Sequence, residues 1–145
     1  ALGAKRIWGT QEVAIENVEL AGAGGRPTDK FRTGEPLVAE VRYEARRRIE
    51  RPVFGFAISD LNGRVVYGNN TQIEKFPIPS IEVKGSVTLR IENLAVAQGC
   101  YLVSFSIHSE DHQTNYCRLE NSYEIRVTSD SSFEGCYMPC GWMIR

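Results

Sequence analysis

Apolar and polar residues alternate with a period of two along several short stretches of the chain. In residues 37–45 (LVAEVRYEA), one parity carries Leu37, Val41 and Tyr43, and the other carries charged residues such as Glu40. Successive side chains of a β-strand point to opposite faces of its sheet. The pattern therefore predicts a strand with one buried face and one solvated face.

The same alternation recurs over residues 100–110 (CYLVSFSIHSE), which predicts a second strand of this kind. The positions expected in the core are Tyr101, Val103, Phe105 and Ile107. The positions expected on the opposite, outer face are Leu102, Ser104, Ser106 and His108.

A hairpin is predicted in residues 54–70 (FGFAISDLNGRVVYGNN), where Asn62 and Gly63 separate two alternating runs. An Asn-Gly pair accommodates the two positive φ angles of a type I′ turn, so the runs should pair as adjacent antiparallel strands. On the first of these strands Gly55 and Ser59 share the outer face with another small residue. That face is therefore expected to be flat.

Other segments complete the predicted pattern. Strand alternation also covers residues 8–20, 86–94 and 121–129. In the first of these the phase changes near Asn17, which predicts a β-bulge. Residues 21–36 are rich in Gly, Pro, Thr and Asp and predict a connecting loop. Residues 72–85 contain two prolines, which predicts an edge or crossing segment.

These segments together predict an all-β fold of about eight strands, because none of the longer segments has helical periodicity with caps. Short strands at this spacing favour a two-sheet antiparallel β-sandwich of immunoglobulin-like or jelly-roll form. We expect residues 1–145 to form a single domain, with residues 129–145 as a divergent tail. The chain begins at Ala1 rather than Met, which suggests a fragment of a longer protein.

The charge balance narrows the classes of partner. Seventeen Lys and Arg face eighteen Asp and Glu, for a net charge of −1, so no global positive field attracts nucleic acid. The basic stretch at residues 44–51 (EARRRIER) is flanked by glutamates and is interpreted as a solvated loop. No apolar run approaches the roughly 18 residues that a membrane helix needs.

Residue chemistry gives no catalytic or metal-binding pattern. The four cysteines are expected to be reduced thiols, and their one close pair has C-x₃-C spacing without a nearby histidine. Neither a phosphate-binding loop nor its helix is present in the pattern. Ser106 precedes His108 by two strand positions, about 7 Å, which is too far for a direct hydrogen bond. We therefore expect no enzyme activity, no cofactor and no metal.

Four segments, taken in order, resemble one known family: WGTQEVAIENVEL, FRTGEPLVAEVRYEA, PVFGFAISDLNGRVVYGNNT and LAVAQGCYLVSFSIH. Over residues 6–128 they look like the C-terminal domain of the ATP-binding subunit of Wzt-type O-antigen polysaccharide ABC exporters. The specific features are the Trp-Gly opening, the FRTGEPL loop that enters a strand, and the hairpin. The tail SSFEGCYMPCGWMIR departs from the family's usual ending.

The resemblance implies a non-catalytic carbohydrate-binding module fused to an upstream nucleotide-binding domain that carries the ATPase. It implies recognition of a lipid-linked O-polysaccharide at the cytoplasmic face of the inner membrane, in some members through the modified non-reducing end. It further implies a homodimer, because the exporter contains two copies and works with a membrane transporter subunit.

Side-chain parity suggests where a glycan would bind. A sheet face of small and polar residues accepts sugar hydroxyls while the opposite face forms the core. The residues predicted from alternation are Arg42, Ser59, Ser104, Ser106 and His108, with Tyr116 and Arg118 at the rim.

Two alternatives remain open at the sequence level. In the first, the outer face is a dimerisation or partner surface and no glycan binds. In the second, the domain is a small polysaccharide hydrolase, which requires two opposed carboxylates. Glu110, Asp111 and Glu120 are acidic, but their separation is not encoded in their spacing along the chain.

Overall fold

The computed structural model of the chain describes residues 5–144. The described part has eleven strands and no helix, and so no helix that would cross a membrane. The strands are β1 (Arg6–Trp8), β2 (Val13–Ala21), β3 (Lys30–Arg32), β4 (Leu37–Ala45), β5 (Ile49–Glu50), β6 (Val53–Asp60), β7 (Val65–Asn70), β8 (Ser80–Ile81), β9 (Lys84–Ile91), β10 (Gly99–His108) and β11 (Asn115–Thr128). The sequence predicted about eight strands. Strands β1, β3, β5 and β8 were not predicted separately, because two or three residues are too few to show alternation. The expected domain ends, 1 and 145, lie outside the described residues.

Two sheets face each other across one core. The six-stranded sheet has the order β1-β11-β10-β6-β7, with β3 beside β11, and the three-stranded sheet has the order β2-β4-β9. A short pair, β5 and β8, forms a separate two-stranded sheet whose residues Ile49 and Ile81 also join the core. Within the described residues the named strands pair antiparallel except β3 with β11. The predicted all-β sandwich is confirmed.

The core is built from one parity of each main strand. On β10 the four residues predicted to be internal, Tyr101, Val103, Phe105 and Ile107, are all buried. They join residues of the three-stranded sheet in a single hydrophobic cluster. Because burial of each large apolar side chain contributes about 1.5–3 kcal/mol, this face of β10 stabilises both layers.

The bulge predicted in β2 is present. Ile15 pairs with Tyr43, and the next paired residue is Asn17 with Arg42, so Glu16 is the extra residue. The bulge shifts the parity of the strand, and consequently Val18 is buried on the same side as Ile15.

The predicted hairpin of β6 and β7 is also present, but the predicted type I′ turn is wrong. Gly63 has a φ of 85°, whereas Asn62 is not among the described residues with positive φ. The Gly63 amide donates to the Asp60 carbonyl at 3.1 Å, and the Asp60 amide donates to the Arg64 carbonyl at 2.9 Å. These bonds close a three-residue loop with glycine at the left-handed position. Asp60 Oδ1 stabilises this loop by accepting from the amides of Asn62 and Arg64.

Two connecting segments also pair. β3 lies within the loop predicted at residues 21–36 and runs parallel to the end of β11. The tail pairs where Cys136 forms a bridge with Val96. It then continues with several exposed apolar residues: Tyr137, Met138, Trp142, Met143 and Ile144.

Candidate functional site

One row of side chains crosses the outer face of the six-stranded sheet. Register partners on neighbouring strands share a face, and they place five residues in line from β1 to β7: Trp8, Arg118, Ser106, Gly55 and Asn70. We call this set the cross-strand row. It covers four spacings between strands, or about 19 Å.

Gly55 gives the centre of the row its shape. A Cβ atom at this position would lie 3.0 Å from Ser106 Oγ and 3.3 Å from Asn70 Cβ. Even a methyl group would be crowded here, so glycine keeps the face flat between a hydroxyl and an amide. Asn70 Oδ1 accepts a hydrogen bond from the Ile73 amide at 2.8 Å, which fixes the orientation of this side chain. Ser106 Oγ makes no hydrogen bond within residues 5–144.

The β1 end of the row is aromatic and positively charged. The guanidinium groups of Arg6 and Arg118 lie 5.1 Å and 5.8 Å from the centre of the Trp8 ring. Trp8 Nε1 donates to Glu120 Oε1 at 2.9 Å. Arg118 Nη1 donates to Asn115 Oδ1 at 3.3 Å. Cation–π contact and hydrogen bonding thus hold Trp8 and both arginines against the sheet.

Two of the predicted serines lie on this face beside the row. Ser104 is half-buried, and its Oγ accepts a hydrogen bond from the Asn121 amide at 2.8 Å, where β11 bulges opposite β10. Ser59 pairs with Leu102 further along the face and is only 5% exposed. Ser106 is therefore the predicted serine that is best placed to contact a ligand.

His108 lies at the end of the outer face, but it is packed rather than open. The residue is 8% exposed, and its ring lies 4.5 Å from the His112 ring. Its Nδ1 is 2.8 Å from the Ser109 carbonyl oxygen and therefore donates to it. Burial lowers the pKa of His108, and the charges of His112 and Arg118 lower it further, while the bond to Ser109 opposes them.

Two predicted positions are corrected by the structure. Tyr116 was expected at an open rim, yet it is 8% exposed and belongs to the core cluster. The chain at residues 9–11 covers its strand, since the Gln11 amide donates to the Tyr116 carbonyl. Arg42 is exposed on β4 of the three-stranded sheet and pairs there with Glu40. It does not share a face with Ser106, because alternation defines parity and not sheet membership.

An apolar cleft opens between the strand edges β7 and β9, and Gly55, Asn70 and Ser106 of the row also line it. This cleft has a volume of about 580 Å³. Its apolar walls include Val41, Phe54, Phe56, Ile58, Val87, Leu89, Ile91 and Phe105. At its mouth Asn69 Nδ2 donates to Tyr67 Oη and to Glu74 Oε1. The cleft is mainly apolar and suits an apolar chain segment better than a polyol.

Sequence reasoning missed three members of the row. Trp8, Gly55 and Asn70 were not among the residues predicted to bind a glycan. The last two could have been found, because counting outward from a two-residue turn at 62–63 pairs residue 55 with residue 70. Trp8 gave no such signal, since its strand pairs with one that follows more than a hundred residues later.

Comparison with known proteins agrees with this fold. The sequence profile of the Wzt C-terminal domain family matches residues 4–138. The chain belongs to this family. Its fold also matches the crystal structure of the C-terminal domain of Wzt, with a TM-score of 0.86 and 19% identity over 100% of this chain and 93% of that one. The expected resemblance is therefore confirmed.

A more distant match has the same type of fold. A Niemann-Pick type C2 protein from Japanese carpenter ant has a TM-score of 0.59 and 5% identity, over 86% of this chain and 99% of that one. No curated protein matches the chain in sequence.

The Wzt C-terminal domain is a non-catalytic domain of an ABC exporter subunit.

Proposed function

We propose that this Wzt C-terminal domain is a carbohydrate-binding module that recognises a lipid-linked O-antigen polysaccharide through the cross-strand row. In the intact exporter it would bind the glycan, in particular its non-reducing end, at the cytoplasmic face of the inner membrane. An upstream nucleotide-binding domain, a membrane transporter subunit and a second copy of the chain are the proposed partners.

The row itself is the observation that supports this proposal. Ser106 and Asn70 provide a hydroxyl and an amide, which can both donate to and accept from sugar hydroxyls. Gly55 keeps the face flat between them, and the five row residues are each half-buried and so partly accessible to a ligand. Membership of the Wzt C-terminal domain family supports the same proposal at the level of the exporter.

A second candidate function is protein interaction without glycan binding. The cleft favours it, because Val87, Leu89 and Ile91 on β9 point to the core side but are only half-buried. Exposed apolar surface of this kind marks association sites. The row and the cleft share Gly55, Asn70 and Ser106, so the two functions are separated by variants of wall residues outside the row, such as Leu89.

The test of glycan binding is calorimetry with a panel of bacterial O-polysaccharides, with and without their terminal modifications. We expect at least one to bind. Ser106→Ala and Asn70→Ala should each weaken binding by about 3- to 10-fold, the value of one neutral hydrogen bond. Ser86→Ala is the matched control, because Ser86 is exposed on β9 of the other sheet.

The outcomes separate the hypotheses. Selective weakening by the two row variants, each shown by thermal unfolding to be folded at the temperature of the binding measurement, supports the proposed site. If all three variants bind the polysaccharide with equal affinity, the binding site lies outside the row. Absence of binding to every polysaccharide would refute glycan recognition, and release of cleaved sugar would identify a hydrolase instead.

A further inference from the structure

Arg118 is incompletely hydrogen-bonded in a half-buried position. A guanidinium group has five N–H donors. Among residues 5–144 its one hydrogen-bond acceptor is Asn115 Oδ1, at 3.3 Å. Its Nε is shielded from solvent and has no partner in the described part of the chain. A polar group that is buried without an acceptor costs about 1–3 kcal/mol. A ligand does not reach the shielded Nε, but Nη2 also has no hydrogen-bond acceptor among the described residues and is not shielded, so a ligand can provide one.

Arg118 lacks the ion pair with a carboxylate that six other arginines form. Six have a carboxylate oxygen within 4.0 Å: Arg32, Arg42, Arg47, Arg48, Arg51 and Arg90. All six are more exposed to water than Arg118. No such ion pair involves Arg118 in the region that the structure describes. The positive charge of Arg118 is thus less exposed to water than the charges of these six arginines, and no carboxylate of the described residues is paired with it.

Neighbouring residues concentrate positive charge at this point. Arg6 contacts the same Trp8 ring as Arg118, so two guanidinium groups lie at one end of the row. Glu120 pairs with Arg6 in the strand register, but its Oε1 accepts from Trp8 Nε1. The carboxylate of Glu120 keeps its negative charge, so the two guanidinium groups exceed it by one positive charge, and ring contact with Trp8 positions both of them.

We propose that the bound glycan carries an oxyanion, a carboxylate or a phosphate, and that Arg118 with Arg6 recognises it at the Trp8 end of the row. An oxyanion can accept two parallel N–H bonds from one guanidinium group, which a neutral hydroxyl cannot do. Ser106, opposite Arg118 in the register, would bind the adjoining sugar. This inference rests on the proposed function and specifies its substrate class.

The test uses the full chain and three groups of purified O-polysaccharides: neutral, uronate-containing and phosphate-substituted. Each charged polysaccharide is also supplied in a matched neutral form, carboxyl-reduced or dephosphorylated. By calorimetry we expect a charged member to bind, and its neutral form to bind roughly 10- to 100-fold more weakly. We expect affinity for the charged form to fall with added salt.

Variants assign the effect to Arg118. Arg118→Gln should lose the preference for the charged form, and Arg118→Lys should restore only part of it because lysine lacks the planar fork. Arg42→Gln is the matched control, since Arg42 lies on the other sheet. Thermal unfolding of each variant identifies loss of folding, and the ratio of charged to neutral affinity is independent of the folded fraction.

The possible results distinguish this inference from the proposed function. Equal binding of charged and neutral forms, or a preference unchanged by Arg118→Gln, would overturn oxyanion recognition and leave glycan binding intact. Failure of the whole panel to bind would overturn both. Preference for uronate over phosphate, or the reverse, would identify the source of the anion.

Discussion

At the scale of single residues, His108 illustrates how packing changes side-chain chemistry. Its strand position predicts an outer, polar residue, but the ring is covered by His112 and bonded to the Ser109 carbonyl. The charged groups that affect it, His112 and Arg118, are both positive when protonated. The folded state therefore disfavours protonation of His108.

The pH dependence of stability follows from this shift. The pKa of His108 in the folded state lies below its ordinary value of 6.5, so the unfolded chain binds the proton first as pH falls. The free energy of unfolding should therefore be constant with respect to this group above about pH 6.5 and should decrease below it.

Urea unfolding between pH 8 and pH 5 measures this effect. His108→Asn keeps a donor for the Ser109 carbonyl but cannot titrate, and it should show a smaller loss of stability in acid. If the variant and the natural chain lose stability equally over this range, His108 is not the group responsible.

At the scale of elements, β10 combines two different energetic roles on its two faces. Its inner face packs Phe105 against the Tyr123 ring, with ring centres 5.7 Å apart. Its outer face carries Ser104, whose hydroxyl accepts one backbone hydrogen bond from β11. A large apolar contact and a single hydrogen bond differ in free energy, and this difference gives a test of the strand's parity.

Phe105→Ala should lower the free energy of unfolding by about 3–5 kcal/mol, through lost burial and the cavity left behind. Ser104→Ala should cost only about 1 kcal/mol, the net value of its hydrogen bond. Denaturant unfolding of both variants makes the comparison. A larger cost for Ser104→Ala than for Phe105→Ala would contradict the observed register.

The hairpin explains why register was predictable although the turn type was not. The three-residue loop would shift the pairing of β6 and β7 by one residue, but a bulge between Ile58 and Ser59 restores it. Gly55 consequently faces Asn70, as a two-residue turn would also have placed it. The buried pattern of the strand selects this register, and the loop adapts to it.

At the scale of the whole molecule, the sandwich is closed unevenly. The edge between β7 and β9 remains open over an apolar cleft, and Leu89 is half-buried there. Unpaired strand edges above apolar surface favour association with another chain. This observation supports the homodimer that the Wzt resemblance implies.

We therefore expect light scattering at micromolar concentration to give twice the mass of the single chain. Leu89→Asp, which places a charge in the cleft, should shift the population toward monomer. Thr88→Asp is the control, because Thr88 points outward from the same strand. A monomeric natural chain, or two variants with the same mass as a dimeric natural chain, would exclude the cleft as the dimer interface.

The sequence by itself determined the strand pattern, the core parity of β10, the bulge of β2 and the resemblance to the Wzt family, because these depend on neighbours along the chain. Only the tertiary structure decided which strands share a sheet. It separated Arg42 from Ser106, buried Tyr116, and brought Trp8 to Glu120 across 112 positions of sequence. The physical reason is that strand periodicity fixes the face of each side chain, whereas partner strands are selected by long-range packing.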